Sequence, residues 1–209
     1  MMTIDEYILS HISPEGDYLH RLYRATNIHL LHGRMASGHL QGRLLKMIVQ
    51  MVQARRVLEV GTFSGYSAIC LAEGLPEGGK VITYEINDEL EPFTRPWIEG
   101  SSVADKIDFR IGNALKEAPL LGESFDLVFL DGDKRTYVEA YEMAMGVTRP
   151  GGFILADNTL WDGHVLEKPA PADRQTKGIE DFNDYVYNDK RVDVVILPLR
   201  DGLTLVKKH

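Results

Sequence analysis

The chain has 209 residues, of which 31 are acidic and 23 basic, and its formal net charge is -8 at pH 7. This net charge disfavours binding to a nucleic acid or a membrane surface, although it does not exclude a local basic patch. No apolar run in the sequence is long enough to span a bilayer. The first residues show no basic region followed by an apolar run, which predicts that no signal peptide is present.

Cys70 is the only cysteine, so the chain forms no internal disulfide, and a reducing, cytoplasmic location is predicted. It lies in the apolar helical stretch Ala68-Ile69-Cys70-Leu71-Ala72. We therefore interpret Cys70 as a core residue and not as a reactive thiol.

Strand and helix patterns alternate along the chain, which predicts an α/β fold. Residues 3–30 are predicted to form short helices. The next helix, at 38–53, is predicted to carry its apolar side chains on one face: Leu40, Leu44, Met47, Ile48 and Met51. Strands are predicted at 57–60, 81–84, about 107–111, 126–130 and 153–156.

Two further helices are predicted between these strands. One follows the first strand with Ala68, Leu71, Ala72 and Leu75 inward, and the other precedes the fifth with Tyr137, Tyr141, Ala144 and Met145 inward. Prolines at 92 and 96 predict a short or kinked element after the second strand. Arg149-Pro150-Gly151-Gly152 predicts a break immediately before the fifth strand.

The C-terminal region has a different pattern from the parallel part. Two strand-like runs, 192–197 and 203–206, flank Asp201-Gly202, which is typical of a hairpin. Before them, residues 159–177 contain Pro169 and Pro171 and are predicted to be a long irregular loop. Loops of this length in compact domains are often binding loops or lids.

Oxygen-bearing side chains follow two of the buried strands. Asp131 ends the strand at 126–130, and Asp157-Asn158 end the strand at 153–156. In an open parallel sheet, ligands bind outside the carboxyl ends of the strands. Two carboxylates and an amide oxygen there suit a divalent cation such as Mg, Ca or Mn. The alternative is that each aspartate only caps the turn or helix that follows.

The first strand leads into a glycine turn, Gly61 to Gly65, which lets the backbone approach a ligand closely. The second strand ends at Glu85, where a carboxylate can accept both hydroxyls of a ribose. The turn lacks the Gly-x-Gly-x-x-Gly pattern that cradles a pyrophosphate, and Glu59 would repel a phosphate. A dinucleotide-dependent oxidoreductase, the alternative of a different class, is therefore disfavoured. A tight turn with no ligand is the other alternative.

Three segments together resemble the cation-dependent O-methyltransferases, the family of catechol and caffeoyl-coenzyme A O-methyltransferases and many bacterial relatives. They are Leu58 to Ser67, Phe129-Leu130-Asp131-Gly132-Asp133-Lys134 and Ala156-Asp157-Asn158-Thr159-Leu160-Trp161. The ending Leu197 to Leu205 is also similar, so the resemblance runs from about Met35 to the C-terminus.

The resemblance implies a single domain over residues 1–209, with N-terminal helices at 1–36. Its fold would be a Rossmann-like class I methyltransferase sheet, mostly parallel, with a C-terminal antiparallel hairpin and helices on both faces. It also implies S-adenosylmethionine as methyl donor, a homodimer and a small aromatic acceptor. Methylation of a hydroxylated uridine in transfer RNA, known among bacterial relatives, is the alternative that the acidic charge disfavours.

The resemblance also implies site residues. The expected donor contacts are Ser37, Glu59, Gly61, Thr62, Ser67, Glu85, Ala114 and Asp131. The expected metal ligands are Asp131, Asp157 and Asn158, with magnesium as the expected ion. Lys134 would remove the proton from the acceptor hydroxyl, with Met35 beneath the reacting methyl. From the chemistry of the site, Trp161 and His164 are candidates to form a wall for the acceptor ring, and for His164 a plain loop residue is an equal alternative.

Overall fold

The computed structural model describes residues 2–167, 170 and 172–209. The described residues form a seven-stranded sheet in the order β3-β2-β1-β4-β5-β7-β6. The strands are β1 (Arg56–Val60), β2 (Lys80–Glu85), β3 (Ile107–Ile111), β4 (Phe125–Leu130), β5 (Thr148–Asp157), β6 (Val192–Leu197) and β7 (Leu203–Lys208). Strands β1 to β5 are parallel, and β7 runs antiparallel to both β5 and β6. The predicted mostly parallel sheet and C-terminal hairpin are confirmed.

The α-helices are α1 (Ile4–Ser10), α2 (Asp17–His29), α3 (Gly38–Met51), α4 (Tyr66–Gly74), α5 (Glu91–Glu99), α6 (Ala114–Glu117), α7 (Tyr137–Val147) and α8 (Arg174–Asn188). They cover both faces of the sheet, because alternate strand residues point to opposite faces and each face is apolar. On one face Val57 and Leu127 pack with α3 and α4. On the other, Leu58 and Val128 pack with α7 and α8. None of the helices within the described residues has the length and apolar character that crossing a bilayer requires.

The order of the strands places the ligand crevice. From β1 the chain proceeds outward to β2 and β3, then returns to the other side of β1 to form β4 and β5. The carboxyl ends of β1 and β4 therefore lie at the topological switch point, where open α/β sheets bind their ligands. The glycine turn after β1 and Asp131 after β4 meet at this point.

The prediction for α3 was partly wrong. Its buried residues include Gln41, Leu45 and Ile48, whereas Met47 and Met51 are 56% and 75% exposed. The helix carries apolar side chains around more than half of its circumference, so periodicity alone did not distinguish the core face from a second apolar stripe.

Two boundaries also differ from the predictions. The Arg149–Gly152 segment lies inside β5 and does not precede it, because Thr148 pairs with Phe125 while Phe153 pairs with Leu127. The glycines form a bulge in the ladder without ending the strand. The irregular segment also ends earlier than residue 177, since Asp173 caps α8 by accepting a hydrogen bond from Thr176 N at 3.0 Å. Pro169 and Pro171 lie outside the described residues.

The structure agrees with the predictions of a short element at Pro92 and Pro96 and of a core position for Cys70. Helix α5 is nine residues long, with Pro92 in its first turn, where a proline is tolerated, and Pro96 in its interior. Cys70 is completely buried in the core, and burial raises the pKa of its thiol to about 12.

Candidate active site

The glycine turn packs directly against the end of β4. A Cβ atom on Gly61 would lie 2.3 Å from the carbonyl oxygen of Asp131, and the φ of Gly61 is +99°. Only glycine fits this close approach and this backbone conformation. The contact places the turn after β1 beside the first of the predicted metal ligands.

Glu85 closes the other side of the turn. Its Oε2 accepts a hydrogen bond from Phe63 N at 2.8 Å, and its Oε1 accepts one from Asn87 N at 2.9 Å. Phe63 has a φ of 48°, so the carboxylate stabilises a strained turn. A carboxylate oxygen has a second lone pair, and both oxygens of Glu85 can therefore still accept hydroxyl hydrogens from a ribose.

Glu59 lies within the sheet and not on the surface of the crevice, since its side chain is 0% exposed. Its Oε2 accepts a hydrogen bond from Thr83 Oγ1 at 2.5 Å, while Oε1 has no partner among the described residues. Burial raises the pKa of Glu59 to about 8, against the opposing hydrogen bond from Thr83. A buried carboxyl with a free oxygen favours a cationic ligand above it.

The remaining predicted donor residues lie at element ends. Thr62 is buried, with its Oγ1 2.6 Å from Thr83 Oγ1, and Ser67 is in the first turn of α4. Ser37 immediately precedes α3, and Ala114 is the first residue of α6; both are buried. Met35 ends a short 3₁₀ helix and has an exposed side chain.

Asp157 is almost completely buried at the end of β5. Its Oδ2 accepts a hydrogen bond from Gln41 Nε2 at 2.7 Å, and its Oδ1 accepts one from Asn158 N at 2.9 Å. Burial raises the pKa of Asp157 and of Asp131, and the nearby charge of Lys134 opposes this rise at both. Two desolvated carboxyls in one place favour a cation between them.

Asn158 has its amide held by one neighbour. Its Nδ2 donates to both carboxylate oxygens of Asp201 at 2.8 Å. The φ of Asn158 is 62°, in the left-handed region that asparagine tolerates better than most residues. Because the amide nitrogen faces Asp201, the carbonyl oxygen is the atom that remains for a ligand.

Lys134 is buried beside Asp131, and Tyr137 anchors its amine. Its Nζ donates to Asp131 Oδ1 at 3.1 Å and to the hydroxyl of Tyr137 at 2.5 Å. The tyrosine hydroxyl in turn lies 3.1 Å from Leu130 O and 2.9 Å from Asp157 O. The amine is thereby fixed between the ends of β4 and β5.

The donor set suits a hard divalent cation. Asp131, Asp157 and Asn158 supply two carboxylates and an amide oxygen, the ligand types that Mg, Ca and Mn prefer. Among the described residues there is no group of three or more His, Cys, Asp or Glu side chains that could hold a metal ion. An ion at this site would therefore depend on the amide of Asn158 and on ligands from outside the chain.

The two predicted acceptor-wall residues differ in position. The side chain of Trp161 is partly buried against the core cluster of α7 and α8, and its backbone N–H donates to Asp201 O at 3.0 Å. His164 is exposed and pairs with Glu167 at 3.0 Å, which raises the pKa of His164. Its ion pair is the interaction expected of an ordinary loop residue.

Four residues of the site were not selected from the sequence: Gln41, Tyr137, Arg200 and Asp201. The sequence pattern predicts Tyr137 on the core face of α7 and Arg200-Asp201 in a turn. A usable signal existed for Gln41, because it is a polar side chain within the buried stripe of α3. Buried polar groups are nearly always hydrogen-bonded, so such a residue indicates a partner.

A sheet of this order, with a glycine turn after its first strand and an acidic residue ending the second, defines a class I methyltransferase. Solved structures agree. TomG, an O-methyltransferase of Streptomyces achromogenes in complex with SAM, has a TM-score of 0.90 at 29% identity, covering 98% of this chain and 95% of TomG. An O-methyltransferase of Bacillus cereus in complex with SAH has a TM-score of 0.86 at 28% identity, covering 99% of this chain and 97% of the other.

The chain belongs to the O-methyltransferase family, whose model matches residues 9–209. Curated relatives include caffeoyl-CoA O-methyltransferase 1 of Eucalyptus globulus, which is 36% identical over 184 residues, covering 83% of this chain and 75% of the relative. Tricin synthase 1 of Oryza sativa subsp. japonica is 38% identical over 190 residues, covering 84% and 75%. The predicted family, fold and enzyme class are confirmed.

Proposed function

We propose that this chain, as a single domain over residues 1–209, transfers a methyl group from S-adenosylmethionine to a hydroxyl of a small, catechol-like aromatic, assisted by a divalent cation. The observation that carries the proposal is the position of Lys134. Its amine lies 3.1 Å from Asp131 Oδ1 and is tied through Tyr137 to the end of β5, where Asp157 and Asn158 follow. A base and a set of oxygen ligands are thus held together.

The donor would occupy the crevice above β1 and β2. Glu85 has a free lone pair on each oxygen for a ribose hydroxyl, and Gly61 lets the ligand approach the backbone. The buried carboxyl of Glu59 has an oxygen without a partner among the described residues, which suits a sulfonium better than a phosphate. TomG with SAM and the Bacillus cereus protein with SAH, at 29% and 28% identity, support this choice of donor.

The cation, with magnesium as the expected ion and Ca or Mn as alternatives, would be held by Asp131, Asp157 and Asn158. When bound, it would supply Lewis acidity that lowers the pKa of an acceptor hydroxyl. Asp201 presents the amide oxygen of Asn158, and Gln41 orients Asp157. These contacts fix the ligand side chains before any ion arrives.

The chemical step is an in-line displacement at the methyl carbon. Lys134 accepts the proton of the acceptor hydroxyl on Nζ. The acceptor oxygen then forms a bond to the methyl carbon as the carbon–sulfur bond breaks, leaving the methyl ether and the demethylated donor. Because Tyr137 and Asp131 fix the amine of Lys134, the entropy cost of orienting the base is met before the reaction begins.

A catechol-like acceptor fits the site better than a polyanion. Two adjacent hydroxyls can bind one cation together, and a net charge of -8 repels a nucleic acid. The names of the relatives, which include caffeoyl-CoA O-methyltransferases, support an aromatic hydroxyl as acceptor. Trp161, four residues after β5, is the residue proposed to contact the ring.

The enzyme is further proposed to be a homodimer. Met47 and Met51 are exposed one turn apart on α3 and continue the partly buried Leu44. Val195 of the edge strand β6 is 48% exposed and lies opposite Leu205, at the border of the same core cluster. Exposed apolar side chains of this kind favour a protein interface, and a second copy of the chain would cover them.

The test is a methyl-transfer assay with labelled donor on caffeate, on unmodified transfer RNA and on hydroxylated transfer RNA. Methylation of caffeate that chelator abolishes and magnesium restores would support the proposal. Asp131→Asn should lose cation-dependent turnover, whereas Asp133→Asn, two residues away with an exposed side chain, should retain it. Lys134→Met should lower kcat strongly with little change in donor affinity, because the lysine acts on the acceptor proton.

Three outcomes would contradict parts of the proposal. Full activity in excess chelator would refute the cation. Methylation of the hydroxylated RNA with none of any diphenol would refute the acceptor class. Preferential binding of NAD over the methyl donor and its demethylated product would refute the donor and revive the oxidoreductase alternative.

A further inference from the structure

Arg200, in the turn between β6 and β7, occupies a strained backbone position. Its φ is 52°, in the left-handed region where glycine is favoured. Its guanidinium donates hydrogen bonds to Ser37 O at 2.5 Å, Gln41 Oε1 at 3.0 Å and Arg34 O at 3.1 Å. The side chain thus bridges from the C-terminal hairpin to the segment that leads into α3.

The contact with Gln41 extends this bridge to Asp157. Gln41 is 1% exposed, and its amide has an acceptor end and a donor end. An arginine only donates, so Arg200 fixes the carbonyl oxygen of Gln41 towards itself. The amide nitrogen of Gln41 then faces Asp157 and donates to Oδ2 at 2.7 Å. The orientation of the Asp157 carboxylate therefore depends on Arg200 through one buried amide.

The neighbouring residue of the same turn holds the other strand-end ligand. The carboxylate of Asp201 accepts from Asn158 Nδ2 with both oxygens, and the carbonyl oxygen of Asp201 accepts hydrogen bonds from Leu160 N at 2.7 Å and Trp161 N at 3.0 Å. Gly202 admits this packing, because a Cβ there would lie 2.4 Å from Leu160 N. The turn at Arg200–Gly202 is therefore hydrogen-bonded both to the segment after β5 and to the segment before α3.

We propose that Arg200 is a positioning residue that joins the donor side of the site, at Arg34 to Ser37, to the cation side, at Asp157. The inference rests on the proposed function, since it requires a donor near Ser37 and a cation near Asp157. Each ligand would order the same set of hydrogen bonds, so that binding of one favours binding of the other. Such coupling is reciprocal by thermodynamic linkage.

The strain at Arg200 supplies a matched control. Gln53, in the connection between α3 and β1, also has a φ of 52°. A glycine at either position relieves the same backbone strain, but only Arg200→Gly removes the contacts to Gln41 and Ser37. Gln53→Gly therefore reports the backbone effect alone.

The experiment measures the dissociation constant of Mn²⁺ by electron paramagnetic resonance, without and with saturating S-adenosylhomocysteine. In the wild-type enzyme the demethylated donor should tighten Mn²⁺ binding by about 10-fold, within the usual range of coupling between sites. Arg200→Gly should reduce this factor to near one, while Gln53→Gly should keep it. Gln41→Leu, which breaks the bridge at its other end, should behave like Arg200→Gly and serves if that variant does not fold.

The outcomes separate this inference from the proposed function. A wild-type chain that binds no Mn²⁺ under either condition would refute the cation site itself. Binding of Mn²⁺ with no effect of S-adenosylhomocysteine, or an unchanged factor in both Arg200→Gly and Gln41→Leu, would overturn the role of Arg200 and leave the cation site standing. A merely structural role would lower the melting temperature and leave the coupling factor unaltered.

Discussion

The hydroxyl of Tyr137 lies 2.5 Å from Nζ of Lys134, and Asp157 O, at the end of a different strand, lies 2.9 Å from the same hydroxyl. Tyrosine thus links the base to the backbone that carries the ligands. Burial and the nearby carboxylates raise the pKa of Tyr137 well above its ordinary value, so the hydroxyl stays protonated at neutral pH.

Tyr137→Phe should therefore lower kcat by about 10-fold, since a lost hydrogen bond of roughly 1.4 kcal/mol in the transition state corresponds to that factor. The affinity for the donor should not change. Tyr141→Phe is the matched control, because Tyr141 lies on the same helix and donates to Asp189 Oδ2 at 2.9 Å, outside the site. Equal losses in both variants, measured by steady-state kinetics, would argue against a role in positioning the base.

Glu85→Ala should weaken binding of S-adenosylhomocysteine by about 10- to 100-fold, the range expected for lost hydrogen bonds to a charged group. Part of the loss would come from the turn, because Phe63 N and Asn87 N lose their acceptor. Isothermal titration calorimetry measures the change, and Glu89→Ala, exposed in the next turn, should bind like wild type. Unchanged affinity in Glu85→Ala would exclude the ribose contact.

Glu59 gives a pH dependence to the stability of the donor-free chain. Its pKa is raised from 4.5 to about 8, so between these values the folded chain keeps a proton that the unfolded chain has released. The free energy of unfolding therefore falls as pH rises through this window, by at most about 1.4 kcal/mol per pH unit.

Urea unfolding at pH 5, 6, 7 and 8 tests this dependence. Glutamine at position 59 does not titrate. The free energy of unfolding of Glu59→Gln minus that of wild type should therefore increase as pH rises and become constant above pH 8. The exposed Glu77→Gln should stay parallel to wild type throughout. A constant difference between wild type and Glu59→Gln at all four pH values would show that the buried carboxyl does not titrate in this range.

The apolar stripe of α3 predicts the state of assembly. Met47→Glu combined with Met51→Glu should convert the proposed dimer to a monomer, because two charges would be buried in an apolar contact. Sedimentation velocity measures the change. Leu120→Glu changes a highly exposed leucine outside α3 and should leave the dimer intact. A wild-type chain that sediments as a monomer at micromolar concentration would disprove this interface.

The sequence predicted the parts of the fold that depend on local pattern. Buried parallel strands produce continuous apolar runs, so β3 was placed at its observed bounds and β1, β2 and β4 to within one residue at each end. Asp131 and Asp157 were selected because the carboxyl ends of such strands share one edge of the sheet. The hairpin of β6 and β7 followed from the Asp-Gly turn between its strands.

Contacts between distant segments could not be predicted in this way. Arg200 and Gln41 are 159 positions apart in the chain, and no periodicity links them. The outward stripe of α3 was assigned to the core because a helix that is apolar on two faces gives the same pattern with either face inward. Tyr137 satisfied the core pattern, which concealed the use of its hydroxyl.

The position of β7 bears on how the enzyme is made. Although it is the last strand in the sequence, it lies between β5 and β6 in the sheet, where it pairs with both. During synthesis, β5 therefore has an unpaired edge until β7, which 45 residues separate from β5, has left the ribosome. The turn that leads into β7 also holds Asn158 through Asp201, and it holds Asp157 through Arg200 and Gln41. The site is therefore complete only after β7 and the turn before it have emerged, although β1 to β5 precede them in the chain.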